Sequence, residues 1–394
     1  MNFKKLPLLF LAAILLPASI QGQNTVGIQN LPVYPSQSKV LFDTKGKEII
    51  AAHDDSLIII NSLPNRKDIW VYRPSTDSTT IRKAEIHYNP HAFAFTNGRI
   101  AFYDVIMNRF IFSKEENGSY VDYLGDKLKG VGEVSIGISL PRLYPFKNGW
   151  YAFSLAGLAY MDNKLLYGVL DNEGKWLLPP TSLFTYPDGL MQNFGLVKAY
   201  TSTTFKNKQL VFAEIAANHT YAKEYQQPKG MFMLIEIGEA FVKTKEVPIF
   251  ENENSPLLGS DVPCMLELIT MRNRFAVTIK AESTLCAKLF NPTYEQVKTV
   301  AIADGVSVLK TVSTPLLNGF ITLYSTDQHL AMAYISEDGS RINRWRVYDA
   351  EMKNIAFYAM NDGSNFYILI NDGQKNEIAL KTIPLADLQK KLGI

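Results

Sequence analysis

The sequence predicts an all-β chain closed into a propeller, with seven four-stranded blades. Three observations carry the prediction. Apolar, β-branched and aromatic residues recur in short runs bounded by tight-turn pairs such as Asn97-Gly98, Asp171-Asn172, Asp338-Gly339 and Asp362-Gly363. The runs fall in groups of four. Helical periodicity is nearly absent beyond the N-terminal segment, and turns this frequent imply antiparallel meanders, because a parallel crossover needs about a dozen residues or more.

The N-terminal segment reads as a cleavable export signal. Lys4 and Lys5 give a positive start, an apolar run follows from Leu6 to Leu16, and Pro17-Ala18-Ser19-Ile20-Gln21-Gly22 is small and polar. Cleavage is expected after Gly22, with Ser19 the second choice. A membrane anchor is the competing reading, but a spanning helix needs about 20 mostly apolar residues. This run is shorter, and Pro7 and Pro17 interrupt and bound it. No cysteine lies at the junction, so the lipoprotein route, which acylates one there, does not apply. The expected destination is the periplasm or the extracellular space.

Residues 23–394 carry no Pro/Gly/Ser-rich or charge-dense linker, which favours one closed repeat domain over two independent ones. The first group of strands is expected at 46–53, 56–62, 68–73 and 79–86. The second is expected at 91–96, 99–104, 108–114 and 119–125, and the third at 138–146, 149–155, 164–171 and 174–178. A fourth, with longer loops, covers 194–201, 208–216, 230–237 and 243–249. The fifth covers 262–269, 272–280, 284–291 and 295–301, and the sixth 306–313, 319–325, 330–336 and 342–348. The last group offers only 354–360, 365–371 and 376–382 before a short polar tail. The strand Lys39-Val40-Leu41-Phe42-Asp43 is left over near the N-terminus and supplies the missing fourth, so that no dangling edge remains. Six or eight blades, or a pair of β-sandwiches, are the alternatives.

Hairpins such as His53-Asp54-Asp55-Ser56-Leu57-Ile58-Ile59-Ile60 and Gly168-Val169-Leu170-Asp171-Asn172-Glu173-Gly174-Lys175, together with the export signal, resemble the secreted TolB-like or NHL-like propellers of Gram-negative bacteria. The resemblance implies the fold and an envelope location. No Trp-Asp dipeptide or kelch-type double glycine repeats from blade to blade. The ligands of that family vary widely, so no site residue is carried over.

Meander topology says where a site would lie. Connections between the second and third strands, and between successive blades, share one face of the ring; the first-to-second and third-to-fourth turns share the other. The second face has tight turns at Asp54-Asp55, Asn97-Gly98, Lys147-Asn148 and Lys206-Asn207. The long segments, Asp126 to Gly137, Pro179 to Asn193, Ala217 to Lys229 and Glu251 to Asp261, all fall on the first. Their polar and aromatic residues make the candidate ligand set: Glu133, Tyr186, Asp188, Gln192, His219, Tyr221, Tyr225, Glu251 and Asp261.

Motifs with chemistry of their own are weaker. His87 and His91 have metal-ligand spacing, but Asn89-Pro90 breaks the helix that spacing requires, and no cysteine completes a set. His53-Asp54-Asp55 and Asp327-Gln328-His329 read as tight hairpin turns. Gly125, Gly130, Gly132 and Gly137 match neither a Walker loop nor a dinucleotide fingerprint. Glu133, Asp188, Glu251 and Asp261 are the candidates for a carboxylate pair cleaving glycosides, which needs about 5–10 Å between carboxyls. No cofactor or metal is expected. Cys264 and Cys286 are placed on the first and third strands of one blade, roughly 9–10 Å apart, beyond the reach of a disulfide, so two free thiols are expected.

With 40 basic and 38 acidic residues the chain carries a net charge of +2, which gives no bulk field for nucleic acid. No later apolar run is long enough to cross a bilayer. The leading expectation is a non-catalytic binding or scaffold module for a glycan, a peptide or an envelope protein. The alternative is a carbohydrate-active hydrolase or lyase using the loop carboxylates.

Overall fold

Seven sheets of four antiparallel strands make up the molecule. The computed structural model describes residues 28–43, 47–53, 56–63, 66–82, 90–96, 99–104, 109–117, 119–127, 142–146, 149–156, 164–183, 194–217, 230–249, 265–281, 284–303, 308–316 and 318–393. Blade 1 comprises β2 (Lys47–His53), β3 (Ser56–Leu63), β4 (Arg66–Arg73) and β5 (Ser78–Arg82). Blade 2 comprises β6 (Pro90–Thr96), β7 (Arg99–Asp104), β8 (Arg109–Glu116) and β9 (Ser119–Lys127). Blade 3 is β10 (Arg142–Phe146), β11 (Gly149–Ala156), β12 (Lys164–Asp171) and β13 (Trp176–Ser182). Blade 4 is β14 (Phe194–Phe205), β15 (Lys208–Ala217), β16 (Gly230–Ile237) and β17 (Lys243–Ile249). Blade 5 is β18 (Met265–Thr270), β19 (Phe275–Ala281), β20 (Thr284–Phe290) and β21 (Gln296–Ala303). Blade 6 is β22 (Lys310–Leu316), β23 (Gly319–Ser325), β24 (His329–Ser336) and β25 (Ile342–Asp349). Blade 7 is β26 (Ile355–Asn361), β27 (Asn365–Asp372), β28 (Glu377–Pro384) and, as its outermost strand, β1 (Gln37–Asp43).

The first strands of successive blades are neighbours all the way round, the last, β26, lying beside β2. The ring is therefore closed, and the blade count is seven. Middle strands pack on both faces against adjacent blades, so they read as continuous apolar runs; β23, Gly319-Phe-Ile-Thr-Leu-Tyr-Ser325, is buried throughout. Its side chains alternate, Phe320 and Tyr324 entering the cluster shared with blade 5, Ile321 and Leu323 the one shared with blade 7. Outer strands alternate with solvent instead, as β13 does. Six blade interfaces hold one apolar cluster each among the described residues. Aromatic rings dominate several. Phe275 and Phe290 stack with centroids 5.1 Å apart, and Phe212 of blade 4 meets Phe290 at 6.3 Å. Each such ring, fully buried, contributes about 2–3 kcal/mol.

Closure follows the expectation from the sequence. Strand β1 pairs antiparallel with β28, with Gln37 opposite Thr382, Ser38 opposite Lys381 and Asp43 opposite Glu377. The chain ahead of β1 adds a strap. Ile28 and Leu31 are buried in the cluster of blades 5 and 6. Tyr34 N–H then donates to Arg346 O at 2.8 Å and Arg346 N–H to Pro32 O at 2.9 Å, laying the strap along β25. Tyr34 is buried edge-on to Trp345, at 5.5 Å.

Three details differ from the sequence reading. The polar tail is a helix, α1 (Leu385–Leu392), which buries Leu388 and Leu392 against blades 6 and 7 and ends at Gly393 in the left-handed region. Strand β14 runs four residues past its expected end, to Phe205. Ser202 and Thr204 look like strand-ending residues, but Ser202 donates to Leu210 O at 2.8 Å and Thr204 to Gln209 at 3.0 Å, so the ladder continues into a two-residue turn with positive φ at Lys206 and Asn207. Strand β13 continues through Pro179 and Pro180, which an outer strand tolerates because its open edge needs no donors.

Glycine is required where blades 2 and 3 touch. At Gly174 φ is +81°, and a Cβ there would lie 2.4 Å from the Phe112 ring and 2.7 Å from Gly125 Cα. Asp126 N–H donates to Gly174 O at 2.8 Å, and Trp176 N–H to the Asp126 carboxylate at 3.1 Å. Gly125 thus serves a close backbone approach, which accounts for it without a phosphate. Gly130, Gly132 and Gly137 lie outside the described residues. No helix among the described residues is long and apolar enough to cross a membrane.

Candidate binding site

In each blade the first strand runs from the face carrying the blade-to-blade connections to the face carrying the tight hairpins. On the connection face four long segments leave the strands: 128–141 between β9 and β10, 184–193 between β13 and β14, 218–229 between β15 and β16, and 250–264 between β17 and β18. They belong to blades 2 to 5, which are contiguous. The nine ligand candidates Glu133, Tyr186, Asp188, Gln192, His219, Tyr221, Tyr225, Glu251 and Asp261 all fall in these segments and lie outside the described residues. The strands around them fix which face and which blades carry the set.

The described strands present polar groups that the loop-centred reading missed. Arg142 opens β10, the innermost strand of blade 3. Its guanidinium donates to Tyr200 O on β14 at 3.2 Å and lies over the Tyr200 ring at 5.0 Å from the centroid. The side chain reaches solvent although protein surrounds it on most sides, as expected of a residue in a channel. Tyr144, two residues on and on the same face of the strand, is raised in pKa by burial, and its hydroxyl bonds Arg142, Thr201 and Ser202. Thr201 in turn accepts from Leu268 N–H at 3.3 Å, which links blade 4 to blade 5.

Two lysines repeat the device farther round. Lys280, near the end of β19, donates to Leu309 O at 3.5 Å, just ahead of the first strand of blade 6. Lys310, the first residue of that strand, donates to Ile355 O at 3.2 Å, the first residue of blade 7's inner strand. Each cation therefore reaches a main-chain carbonyl of the next blade, Lys280 and Lys310 near the connection-face end and Arg142 farther in, opposite Phe153 of β11. Among the described residues none of the three meets a carboxylate.

Between blades 5 and 6, Glu267 of β18 accepts from Thr278 at 3.3 Å and Thr311 at 3.4 Å, and Ser313 adds a third hydroxyl donor. Burial raises its pKa, and the hydroxyls counter part of that rise. This carboxyl keeps its proton to higher pH than an ordinary one, with desolvation the largest cause. A glycoside-cleaving pair needs a second carboxylate within about 10 Å, and among the described residues none acts on Glu267. In an apolar-patterned strand, Met265-Leu-Glu-Leu-Ile269, the single acid was the available signal.

The motifs read as turns are accounted for where they are described. Asp327 O accepts from Met352 N–H at 2.8 Å, Gln328 O from Ala350 N–H at 3.1 Å, and His329 bonds Asp349 at 2.9 Å, so this turn docks the connection to blade 7. His87, Asp54 and Asp55 lie outside the described residues, and nothing is described of the side chains of His53 and His91. Among the described residues no group of three or more His, Cys, Asp and Glu is placed to hold a metal ion. Cys286 is a free thiol whose pKa burial pushes up to about 11; Cys264 lies just ahead of β18, outside the described residues.

A cavity of about 470 Å³ opens on the opposite, hairpin face between blades 5 and 6. Its lining is engaged in hydrogen bonds: Glu337 accepts from Asn273 N–H at 2.5 Å, Arg341 donates to Leu392 O of α1, and Asp338 accepts from Ser336 and Ser340, which holds its carboxyl far below the ordinary range. This side is a structural joint.

No family model matches the chain, and no curated protein matches it. Solved structures do. A structure described as the polysaccharide lyase Uly1 superposes with a TM-score of 0.53 at 9% identity, covering 92% of this chain and 94% of that one. YCF48 bound to D1 peptide gives 0.52 at 11% identity, over 91% and 99%. The β-propeller domain of the Trilobed protease from Pyrococcus furiosus, described as having an open velcro topology, gives 0.52 at 8% identity, over 86% and 98%. Likeness at this level of identity speaks to fold alone, and with seven closed four-stranded sheets it makes the chain a seven-bladed β-propeller.

Proposed function

We propose that residues 23–394 form one exported binding propeller, whose connection face over blades 2 to 5 recognises a glycan, a peptide or a partner protein in the cell envelope. One observation carries the reading: four long inter-strand segments leave contiguous blades on a single face, while the hairpin turns opposite are short. Long segments on a rigid ring are the usual way this kind of scaffold carries recognition. The N-terminal segment read as an export signal, with cleavage after Gly22, and the resemblance to TolB-like or NHL-like propellers support a partner outside the cytoplasm. The near-balanced charge of +2 supports no role with nucleic acid.

Replacing 184–193 and 218–229 by short Gly/Ser linkers tests the face. Binding to an envelope extract or glycan panel that is lost in these variants, and kept when the 337–341 hairpin is altered, supports the reading. Loss only with the hairpin change refutes it. The N-terminal residue of the exported protein tests the signal, and Gln23 is expected.

A polysaccharide-cleaving enzyme is the second reading, favoured by Glu267, a buried carboxyl with a raised pKa beside the channel. Turnover of a glycan that Glu267→Gln abolishes without loss of binding would establish it.

A further inference from the structure

We propose that the connection-face mouth of the channel binds a carboxylated polysaccharide, with Arg142, Lys280 and Lys310 as its anion contacts. The proposal rests on the reading of that face as the binding face. The three cations stand on blades 3, 5 and 6, Lys280 and Lys310 near strand ends that open on this face and Arg142 on the inner strand of blade 3 below it. Their only described polar partners are main-chain carbonyls and, for Arg142, the Tyr144 hydroxyl. A carbonyl accepts a hydrogen bond without cancelling the charge, so among the described residues no carboxylate neutralises these three cations and each stays available to an anion.

The same bonds fix where the charges stand. Arg142 is clamped between Tyr200 O, the Tyr200 ring and the Tyr144 hydroxyl. Lys280 and Lys310 are each tied to the main chain of the following blade, so ordering their side chains costs little when a ligand arrives. Arg142 uses one nitrogen, Nη1, on Tyr200 O, and its planar fork keeps further donors for a carboxylate. Cations tethered to the main chain of rigid blades complement a ligand whose own charges are fixed. A polyuronate carries one carboxylate per sugar on a stiff backbone. An acidic peptide carries its charges on a flexible chain and gives up more conformational freedom on binding.

Polygalacturonate, its fully methyl-esterified form, neutral dextran and poly-glutamate serve as probes, with binding read by calorimetry against the exported protein. Polygalacturonate is expected to bind, more weakly as salt rises, while the ester and dextran are not. Lys280→Gln and Lys310→Gln should each weaken binding about five- to tenfold, the size of one sheltered charge-assisted hydrogen bond. Lys310→Arg should restore it, and the melting temperature shows that each variant is folded. Arg142→Lys, which keeps the charge and loses the fork, should weaken it by a similar factor. Absence of polygalacturonate binding, equal binding of the ester, or tighter binding of poly-glutamate overturns the proposal. Binding that survives all three substitutions but is lost with the 184–193 replacement overturns the cation assignment and leaves the binding face standing. Binding indifferent to both overturns both.

Discussion

Glu267 shows how much one side chain can matter in a seam of strands. Because burial raises its pKa in the folded state, the native protein holds that proton above the ordinary carboxylate value of 4.5, where the unfolded chain releases it. Stability is therefore unpenalised below that value and falls as pH rises through the folded-state pKa. Glu267→Gln keeps an acceptor for Thr278, Thr311 and Ser313 and removes the titration. Its stability, measured by urea unfolding, should lose that downward slope and exceed the parent's at pH 7; identical pH profiles would mean the carboxyl is not desolvated. Gly174 makes a second residue-scale prediction. Gly174→Ala meets the Phe112 ring and must hold φ at +81°, and should cost about 2–4 kcal/mol. Gly363 has a similar φ, +85°, with nothing within 4 Å of a Cβ, so Gly363→Ala should cost only about 1 kcal/mol. Little of this was legible in the sequence. A tight turn at Asp171-Asn172-Glu173-Gly174 is readable from its residue types, but that Gly174 backs onto Gly125 depends on two blades docking. Arg142 and Lys310 fall inside the strands expected at 138–146 and 306–313, and only the docking of successive blades brings each to a main-chain carbonyl of its neighbour.

Among elements, the strap and β1 bind the chain's start to its end. Tyr34 is buried between β25 and α1, edge-on to Trp345 and beneath the Lys391 amine at 4.3 Å, yet its hydroxyl has no hydrogen-bond partner among the described residues. An unsatisfied buried hydroxyl costs free energy that a phenyl ring does not. Tyr34→Phe should therefore be neutral or raise stability by about 1 kcal/mol, whereas Tyr34→Ala leaves a cavity and should cost about 3–5 kcal/mol. Melting curves for the pair separate packing from polarity; a Phe variant as damaged as the Ala one would mean the hydroxyl has a partner. The extra strand before blade 1 was legible because a propeller with three strands in its last blade needs a fourth. The strap was not, since Ile28-Gln-Asn-Leu31 is too short to show a period. Helix α1 was overlooked although Leu385, Leu388 and Leu392 stand at helical spacing, because lysines and a glutamine surround them.

At the scale of the whole molecule, the seven blades are alike in topology and blade 7 is completed by a non-local strand pairing. Strands β2 to β28 follow one another in meanders, so their contacts are short-range. The join of β1 to β28 instead brings together residues from opposite ends of the chain. Such a contact pays the largest loop-closure cost in the unfolded state, and a covalent bond placed there should have the largest effect. Ser38 and Lys381 are direct cross-strand partners, beyond the register shift at Val40/Phe42. Directly opposed residues of an antiparallel pair have Cα atoms about 4.5–5.5 Å apart, within the range of a disulfide. In a background of Cys264→Ser and Cys286→Ser, the double variant Ser38→Cys/Lys381→Cys should oxidise to a single intramolecular bond. For a loop of nearly the whole chain the entropy model gives on the order of 5 kcal/mol, reduced by the loss of the weak bond from Lys381 to Ser36 Oγ at 3.4 Å. The oxidised form should melt in one transition well above its own reduced form. A shift of one residue, Ser38→Cys with Leu380→Cys, puts the two side chains on opposite faces of the sheet and should not close. Crosslinking of the second pair in preference to the first would place β1 in another register and remove the basis for a ring closed as described.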